Sequence, residues 1–464
     1  MLQDYKNIYF VGIGGIGMSA LARWFLRHQF QVAGYDRTPS PLTHSLQAEG
    51  MDIHYEENLT LIPPDFQVHN TLIIFTPAVP ESHAELCYFR EHNFAVKKRA
   101  EVLGMLTQDH FTIAVAGTHG KTTTSSMIAH ILYNSPKSCT AFLGGIMQNY
   151  DSNLLLNQHS KEETYIVAEA DEYDRSFLHL SPSMAVITST DADHLDIYGD
   201  KSHVHAAFVE FAKKIRQNGR IFLKKDLALK HDIGNEPITI AEYALNAEAE
   251  YQAIHIEIKD GAFHFDALCQ GELIENLVLY VPGYHNVENA LAAIAVSHSL
   301  GINAGHIRES LKTYQGVKRR FEYILRENGR IFIDDYAHHP EEIKAFLNSV
   351  RALYPDKQLT VIFQPHLFSR TRDFADEFAQ SLSMADQLML LPIYPARELP
   401  LKGVTSKLIL DKVSIQKKGI FTKETLLESL KNEIPELVLT IGAGDISEMI
   451  LTIKNILQTP SASV

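Results

Sequence analysis

The residues best suited to chemistry form a glycine-rich loop, Gly117-Thr118-His119-Gly120-Lys121-Thr122. The loop follows an apolar run, FTIAVA, that predicts a strand, and it precedes a stretch with helical spacing. Glycines let backbone N–H groups surround a phosphate chain, and a helix N-terminus favours negative charge. In that setting the lysine would neutralise the β- and γ-phosphates and Thr122 would offer its hydroxyl to Mg²⁺. The loop therefore predicts a nucleotide site, although Val115 stands where the general pattern has its first glycine.

Two acidic clusters follow the next predicted strands. AEADEYD carries Glu169 and Asp171 at the end of one strand, and the segment from Asp191 to His194 follows the strand MAVITST. Ligands of open α/β sheets bind at the carboxyl ends of strands, and magnesium prefers oxygen donors. Each cluster alone is equally well explained as a solvated loop or a helix cap. Beside the phosphate loop, the two together favour a metal site.

A second glycine motif lies near the N-terminus. Gly12, Gly14 and Gly17 satisfy G-x-G-x-x-G between a predicted strand and a predicted helix, and Asp36 ends the following strand. This arrangement is typical of dinucleotide sites, where the acid would bind a ribose. It would equally hold another nucleotide diphosphate such as a UDP-sugar. A tight strand-to-helix turn without a ligand is the remaining alternative.

The elements that must position these motifs alternate between strand and helix. In the first hundred residues the strands NIYFV, QVAGYD and LIIF are separated by helical stretches, an order that implies a parallel sheet. The phosphate loop opens a second α/β segment, which changes to shorter alternating runs between about Ala247 and Val281 and so predicts an antiparallel extension. A third α/β segment, of about six strands, starts near Gly316.

Composition restricts the class of protein. The chain has 464 residues, too many for one compact core, with 42 Lys+Arg, 56 Asp+Glu and a net charge of −14. This charge disfavours a nucleic-acid partner. The sequence shows no apolar stretch of membrane-spanning length and no signal peptide. Three distant cysteines argue against a disulfide framework, so we expect a cytoplasmic, multidomain protein without membrane insertion.

Taken together, the motifs resemble those of the ATP-dependent muramyl ligases of peptidoglycan synthesis, the Mur ligase family. The segments that carry the resemblance run through essentially the whole chain: GIGGIGMSALA, AGTHGKTTT, EADEYDRSFLHLSP, DADHLD, PGYHNVENALAA, GVKRRFE, DDYAHHPEE and FQPHLFSRTRDF. The valine at position 115 is also a feature of that family.

The resemblance implies an α/β protein of three domains. Residues 1–106 would form a Rossmann-like domain for a UDP-sugar. Residues 107–314 would form a central P-loop ATPase-type domain, with a mixed sheet and an antiparallel extension, that binds ATP. Residues 315–464 would form a C-terminal Rossmann-like domain that brings the amino acid.

The resemblance also implies residue roles. ATP would be bound by Gly117, Thr118, His119, Gly120, Lys121, Thr122, Thr123, Asn286, Asn289, Arg320 and Asp335. Mg²⁺ would be bound by Thr122, Glu169 and His194. The UDP-sugar would be bound by Gly12, Gly14, Gly15, Gly17, Asp36 and Thr76. The incoming amino acid would meet Tyr336, His338, His366 and Arg370. The catalytic set would be Lys121, His194, Arg320 and His338.

The implied reaction joins L-alanine to the lactyl carboxylate of UDP-N-acetylmuramate, at the expense of ATP and through an acyl phosphate, in a monomer or homodimer. Arg370 is expected to bind the amino-acid carboxylate, because a guanidinium fork suits two oxygens. Leu367 replaces an arginine that many members of the family have. The alternatives are a recycling ligase that attaches a tripeptide, a nicotinamide-dependent oxidoreductase, and a non-catalytic nucleotide-binding regulator.

Overall fold

The computed structural model describes residues 2–157, 165–191, 198, 200–396 and 398–459. The chain divides into two compact units. Unit 1 comprises Met1–Ile256, Phe265–Val278 and Glu288–Gln315. Unit 2 comprises Glu257–His264, Leu279–Val287 and Gly316–Val464. None of the described helices is both long and apolar enough to cross a membrane.

The first sheet has five parallel strands in the order β3-β2-β1-β4-β5. Its strands are β1 (Asn7–Val11), β2 (Gln31–Tyr35), β3 (Asp52–His54), β4 (Thr71–Phe75) and β5 (Ala95–Lys98). Its helices are α1 (Ile16–Arg27), α2 (Pro41–Ala48), α3 (Ala84–Glu91) and α4 (Arg99–Thr107). Every residue of β1 and β4 is buried, as expected for strands that have both faces covered.

The second sheet has ten strands in the order β15-β14-β13-β12-β11-β10-β6-β9-β7-β8. Its strands are β6 (Phe111–Ala116), β7 (Thr140–Met147), β8 (Ser152–Leu155), β9 (Tyr165–Glu169), β10 (Met184–Ile187), β11 (Arg220–Lys224), β12 (Thr239–Leu245), β13 (Tyr251–Lys259), β14 (Ala262–Cys269) and β15 (Glu272–Leu279). Its described helices are α5 (Lys121–Tyr133), α6 (Lys201–Ala212), α7 (Leu229–Ile233), α8 (Tyr284–Ser299) and α9 (Ala304–Thr313). Central strand β6 pairs in parallel with β10 and β9, so the phosphate loop leaves the middle of the sheet.

The predicted antiparallel extension is confirmed as β13, β14 and β15. Two-residue turns, Asp260-Gly261 and Gln270-Gly271, join these neighbouring strands, and all four residues have positive φ. Turns of this kind are typical of β-hairpins, because their twist matches that of the strands. The polar and apolar alternation seen in the sequence is therefore that of hairpins with one buried face.

The third sheet lies in unit 2 and has six strands, as predicted, in the order β16-β17-β21-β18-β19-β20. Its strands are β16 (Glu322–Glu327), β17 (Arg330–Asp335), β18 (Leu359–Phe363), β19 (Gln387–Leu390), β20 (Lys417–Ile420) and β21 (Leu437–Ile441). Its helices are α10 (Pro340–Leu353), α11 (Phe368–Asp373), α12 (Ala375–Leu382), α13 (Lys407–Leu410), α14 (Lys423–Asn432) and α15 (Ile450–Gln458). Short 3₁₀ helices cover Leu2–Asp4, Leu59–Leu61, Tyr173–His179 and Asp445–Met449. Only the β16–β17 pair is antiparallel among the pairings described in this sheet.

One hydrophobic cluster of unit 1 is continuous through its two sheets, whereas a separate cluster around Tyr9 and Phe89 belongs to the first sheet alone. One cluster of buried side chains includes Phe10 and Phe25 beside the first sheet and Phe142 and Phe177 beside the second. Unit 2 has separate clusters, drawn only from residues after Gly316. The α/β class predicted from the sequence is confirmed, with three sheets.

Candidate active site

The phosphate loop connects β6 to α5, as the sequence predicts. Gly117 has φ +130° and Gly120, which immediately precedes α5, has φ +81°, both unfavourable for residues with a side chain. A Cβ atom on Gly117 would also lie 2.1 Å from Oγ1 of Thr188. Glycine is therefore required at both ends of the loop, and Lys121 is the first residue of the helix that follows it.

The ammonium group of Lys121 has three oxygen partners. It donates to the carbonyl oxygens of Gly117, at 2.6 Å, and Thr118, at 3.3 Å, and it forms a 2.8 Å ion pair with Oε1 of Glu172. Glu172 is only 1% exposed. Burial lowers the pKa of Lys121, but the negative charges of Glu172, Asp171 and Glu169 outweigh it and raise the pKa above its ordinary value. The lysine is charged and fixed beside the loop.

Glu172 is a site residue that sequence reasoning missed. It is the fifth residue of AEADEYD, after the two acids that the spacing favoured. Several acidic residues follow one another directly after a buried strand, and a buried lysine needs a negative partner. Together these two facts could have indicated that one of the acids pairs with Lys121.

The loop after β10 supports the phosphate loop from the neighbouring strand. Oγ of Ser189 accepts from the backbone N–H of His119 at 2.9 Å and lies 2.8 Å from Oγ1 of Thr118. The hydroxyl of Thr188 donates to the carbonyl of Ala116 at 3.2 Å and also to that of His119. These contacts fix the loop shape, but the Thr188-Ser189 pair carries no distinctive pattern in the sequence.

Thr122 and Glu169 meet, as predicted for a metal site. The Thr122 hydroxyl donates to Oε1 of Glu169 at 2.9 Å, and the backbone N–H of Gly144 donates to Oε2 at 2.9 Å. Burial raises the pKa of Glu169, although Lys121 and the Thr122 hydroxyl oppose this. A hydroxyl beside a carboxylate whose charge is costly to bury is a donor set that fits Mg²⁺.

The third predicted metal ligand, His194, lies outside the described residues, together with the rest of 192–197. In the part of the chain that the structure describes, no group of three or more His, Cys, Asp or Glu side chains is arranged to hold a metal. Mg²⁺ commonly uses one or two protein carboxylates plus water and phosphate, so the Thr122–Glu169 pair remains a suitable partial site.

The two asparagines expected at the adenine have different surroundings. Asn289, in unit 1, accepts from the Thr124 hydroxyl at 3.1 Å, and a Cβ on Gly120 would lie 2.5 Å from its Oδ1. The structure thus brings Asn289 against the phosphate loop and the first turn of α5, which includes Thr123, a residue only 8% exposed. Asn286, in unit 2, donates its side-chain amide to the carbonyl of Pro282 at 2.7 Å, as a residue near a helix start does.

The N-terminal glycine motif forms a tight turn between β1 and α1. Gly12 has φ +89° and packs on Thr76, whose Cγ2 would lie 2.8 Å from a Cβ at that position. Gly15 is the residue before α1, and its N–H donates to the Gly12 carbonyl at 3.3 Å. The structure therefore brings Thr76 and the glycine motif together, as is required if both bind the same UDP-sugar.

Asp36 is engaged inside the same turn. Its Oδ2 accepts from the backbone N–H of Gly14 at 2.7 Å, and its Oδ1 accepts from that of Thr38 at 3.3 Å. The acid that spacing assigned to a ribose thus fixes the loop that would approach the ligand. Its role in this structure is to hold the glycine loop.

In unit 2, Asp335 ends β17 and is held by two backbone donors. The N–H groups of Phe321 and Ala337 each donate to its carboxylate at 2.7 Å. Burial raises the pKa of Asp335 to about 6, although Arg320 and the two N–H donors oppose the shift. The guanidinium of Arg320 lies 5.2 Å from the ring centre of Tyr336 and 3.9 Å from a carboxylate oxygen of Glu342.

The four residues expected around the amino acid form one cluster. The rings of Tyr336 and His338 are 5.5 Å apart, and those of His338 and His366 are 6.0 Å apart. Nη1 of Arg370, a residue only 8% exposed, lies 3.4 Å from Nδ1 of His366. Tyr394, which sequence reasoning missed, stacks on His366 with 5.8 Å between ring centres. Tyr394 follows the carboxyl end of β19, and this position is the feature of the sequence that could have indicated a site residue.

Leu367, the departure from the family pattern, is buried at 5% exposure and has φ +71°. Its N–H donates to the carbonyl of Tyr394 at 3.0 Å, and its carbonyl accepts from the Thr371 hydroxyl at 2.8 Å. The backbone at this position therefore builds the start of α11, while the apolar side chain is sequestered. The guanidinium of Arg370, by contrast, lies 3.4 Å from the ring of His366.

Comparisons with known proteins agree along the whole chain. Sequence profiles match for the Mur ligase family catalytic domain at residues 7–111, the Mur ligase middle domain at 115–297, and the Mur ligase glutamate ligase domain at 319–446. The UDP-N-acetylmuramate–L-alanine ligase of Flavobacterium johnsoniae is 50% identical over 456 residues, which cover 98% of this chain and 99% of that protein.

Solved structures show the same fold. The UDP-N-acetylmuramate–alanine ligase of Thermotoga maritima superposes with a TM-score of 0.82 at 28% identity, covering 97% of this chain and 99% of that one. A murein peptide ligase from Psychrobacter arcticus superposes with a TM-score of 0.73 at 22% identity, covering 99% and 100%. The chain belongs to the Mur ligase family.

Proposed function

We propose that the protein is a UDP-N-acetylmuramate–L-alanine ligase, which uses ATP to make UDP-N-acetylmuramoyl-L-alanine, ADP and phosphate for peptidoglycan synthesis. The observation that carries this proposal is 50% identity to an alanine ligase along 98% of the chain. The phosphate loop, the Thr122–Glu169 pair and the cluster around Arg370 support it with the chemistry that such a reaction requires.

The proposed domains are 1–106 for the UDP-sugar, 107–314 for ATP and 315–464 for the amino acid, in a monomer or homodimer. We place the protein in the cytoplasm, where ATP and nucleotide sugars are available. Cys87, Cys139 and Cys269 are unpaired, which is usual for proteins of a reducing compartment. Small-molecule substrates are the only partners that the proposal needs.

The first step activates the acid. An oxygen of the lactyl carboxylate attacks the γ-phosphorus in line, the bond from that phosphorus to the β-phosphate oxygen breaks, and an acyl phosphate and ADP result. Both reactants are anions, so the site must supply positive charge. Lys121 supplies it at the phosphate loop, and we assign Arg320 the same task and Asp335 the ribose.

A bound Mg²⁺ would neutralise charge on the phosphate oxygens. The Thr122 hydroxyl and the Glu169 carboxylate would hold the ion, with His194 as the further ligand that the family resemblance implies. Gly144 keeps the carboxylate in place through its backbone N–H. Lys121 and the backbone N–H groups of the loop bind and orient the nucleotide phosphates.

The second step forms the amide bond. The neutral amine of alanine attacks the acyl carbon, and the tetrahedral intermediate releases phosphate as the carbonyl reforms. A base must remove a proton, because a free amino group is largely protonated near neutral pH. His338 and His366 are the candidates, and Arg370 binds the carboxylate of alanine.

The test is ADP release from purified protein supplied with ATP, Mg²⁺ and UDP-N-acetylmuramate, with L-alanine or the tripeptide L-alanyl-γ-D-glutamyl-meso-diaminopimelate in parallel. We expect turnover with alanine and none with the tripeptide. Turnover with the tripeptide alone would assign the protein to recycling. ATP binding without ADP release under either condition would favour a non-catalytic regulator.

A further inference from the structure

Arg99 is the residue on which a further inference rests. We propose that its guanidinium binds the diphosphate of the UDP-sugar, together with the first turn of α1. This inference deepens the proposed function, because it depends on a UDP-linked substrate at the glycine motif. Neither the motif nor the resemblance drew attention to this arginine.

The position of Arg99 is defined by Gly17. The arginine is the first residue of α4, directly after β5, and its side chain is 18% exposed. A Cβ atom on Gly17 would lie 2.9 Å from its Nη1 and 3.2 Å from its Cζ. The guanidinium therefore packs directly over the first turn of α1, the helix that follows the glycine loop.

The charge of Arg99 is only weakly matched within the described protein. The nearest acid described is Asp171, whose Oδ2 lies 3.8 Å from Nη2, which is too far for a hydrogen bond. The neighbouring Lys98, by contrast, contacts Asp174 at 2.8 Å, and Arg23 donates three times to Glu49 at 2.7 to 3.1 Å. A mostly buried guanidinium whose acid is beyond hydrogen-bond distance is suited to an external anion.

Phosphate is the anion that this arrangement fits. A guanidinium offers a planar fork of donors that matches phosphate oxygens, and a helix N-terminus attracts the same charge. Gly15 and Ile16 are exposed at the start of α1, so a ligand can reach this turn. A diphosphate bound at this turn would therefore contact the guanidinium of Arg99, which packs over Gly17.

The packing of Arg99 explains why the third position of G-x-G-x-x-G is a glycine in this chain. Gly17 lies inside α1 with ordinary helical backbone, so its conformation does not require glycine. The space above it is occupied by the arginine. An alanine at position 17 would leave the helix intact and displace the guanidinium.

The experiment measures binding of UDP-N-acetylmuramate and of UDP by calorimetry, without ATP, to the full chain and to Arg99→Ala, Arg99→Lys and Gly17→Ala. We expect both ligands to bind at least tenfold more weakly to Arg99→Ala and Gly17→Ala, with Arg99→Lys between these and the wild type. Lys98→Ala is the matched control, because it removes a neighbouring charge with its own partner, and it should change the dissociation constants less than twofold.

The outcomes separate the inference from the proposed function. Wild-type protein that binds neither ligand overturns the proposed function, and this inference with it. Wild-type binding with unchanged affinity in Arg99→Ala and Gly17→Ala overturns the inference alone. Weaker binding of UDP-N-acetylmuramate with unchanged binding of UDP would assign Arg99 to the lactyl carboxylate, and so contradict the diphosphate contact. Should Arg99→Ala fail to fold, Arg99→Lys and Gly17→Ala decide.

Discussion

At the scale of single residues, the ammonium group of Lys121 can pair with either of two negative groups, the Glu172 carboxylate or the nucleotide phosphates. Its ammonium lies 2.8 Å from Glu172, a carboxylate that is almost fully buried, and its two remaining contacts are to backbone carbonyls of the loop. Nucleotide phosphates would compete with Glu172 for the same charge. The ion pair therefore keeps the lysine charged and in place, and it also opposes nucleotide binding.

We predict that Glu172→Gln binds ATP about tenfold more tightly than the wild type, because the phosphates no longer displace a charged partner. The variant should also lower the melting temperature without ATP, since a buried ammonium loses its carboxylate. Calorimetry and thermal unfolding with and without ATP measure both effects. Glu242→Gln, which removes the partner of the exposed Lys230, is the control and should leave ATP affinity unchanged. Weaker ATP binding by Glu172→Gln would contradict this account.

Asp335 links stability to pH. Because its pKa is raised from 3.8 to about 6 by burial, the folded state holds a proton that the unfolded state releases between these values. This group therefore favours folding most below pH 3.8, and that contribution is lost as pH rises through about 6. The loss amounts to about 3 kcal/mol.

We predict that unfolding free energy falls between pH 4 and pH 6.5 by more in the wild type than in Asp335→Asn, measured by urea unfolding at a series of pH values. The absolute stability of the variant will also change, because an amide cannot accept from both Phe321 and Ala337 as a carboxylate does. The slope against pH is thus the informative quantity. Equal slopes in the two proteins would show that Asp335 is not the titrating group.

The residue types of the site could be predicted, but their contacts could not. Lys121, Thr122 and Glu169 follow from a loop pattern and a strand end, because backbone geometry alone brings them to one edge of a sheet. Asp36 shows the limit, since spacing identified an acid after β2 but could not distinguish a ribose contact from the bond to Gly14. Arg99 and Glu172 depend on which helix packs over which loop, and no local pattern contains that information.

At the scale of elements, α1 is held by a polar contact with the edge of the second sheet. Asn153 of β8 is fully buried, donates to the carbonyl of Ile16 at 2.6 Å and to the Ser19 hydroxyl at 2.9 Å, and accepts from Arg23 at 2.6 Å. The first turn of the helix that follows the glycine loop is thereby fixed to β8. Polar contacts in a buried setting specify one orientation of the helix.

We predict that Asn153→Ala lowers the free energy of unfolding of unit 1 by about 2 to 3 kcal/mol, because it removes the three hydrogen bonds that this fully buried amide makes to Arg23, Ile16 and Ser19. Asn235→Ala, at an exposed turn of the same unit, should change it by less than about 0.5 kcal/mol. Chemical unfolding followed by intrinsic fluorescence measures both. A loss in Asn153→Ala no larger than in the control would mean that apolar packing alone holds α1.

The strands and helices themselves were largely predictable. Buried parallel strands such as β1 and β4 are recognisable in the sequence as unbroken apolar runs. A hairpin such as β13–β14 is recognisable as an alternation of polar and apolar residues interrupted by Asp-Gly. The contact of α1 with β8 was not predictable, because it joins segments more than 120 residues apart in sequence through one asparagine.

At the scale of the whole molecule, the cores and the proposed domains divide the chain differently. Unit 1 has a hydrophobic cluster that includes residues of both the first and the second sheet, beside a smaller cluster of the first sheet alone. Among the described residues of unit 2, the two core clusters consist of residues after Gly316. Three sheets therefore do not imply three independently stable pieces.

We predict that a fragment of residues 315–464 unfolds cooperatively on its own, whereas a fragment of residues 1–106 does not, since it would expose the part of its core that packs on the second sheet. A fragment of residues 1–314 is the control for the latter. Circular dichroism with thermal unfolding distinguishes these cases. A cooperative transition in the 1–106 fragment would contradict the continuous core.

The central claim is that this chain adds alanine to a UDP-linked muramate. The most direct measurement supplies ATP, Mg²⁺ and UDP-N-acetylmuramate with equal concentrations of L-alanine and the tripeptide, and determines the mass of the product. We predict a product heavier than UDP-N-acetylmuramate by one alanine residue, formed with one ADP per product. A product that carries the tripeptide, or ADP formed without any coupled product, would contradict it.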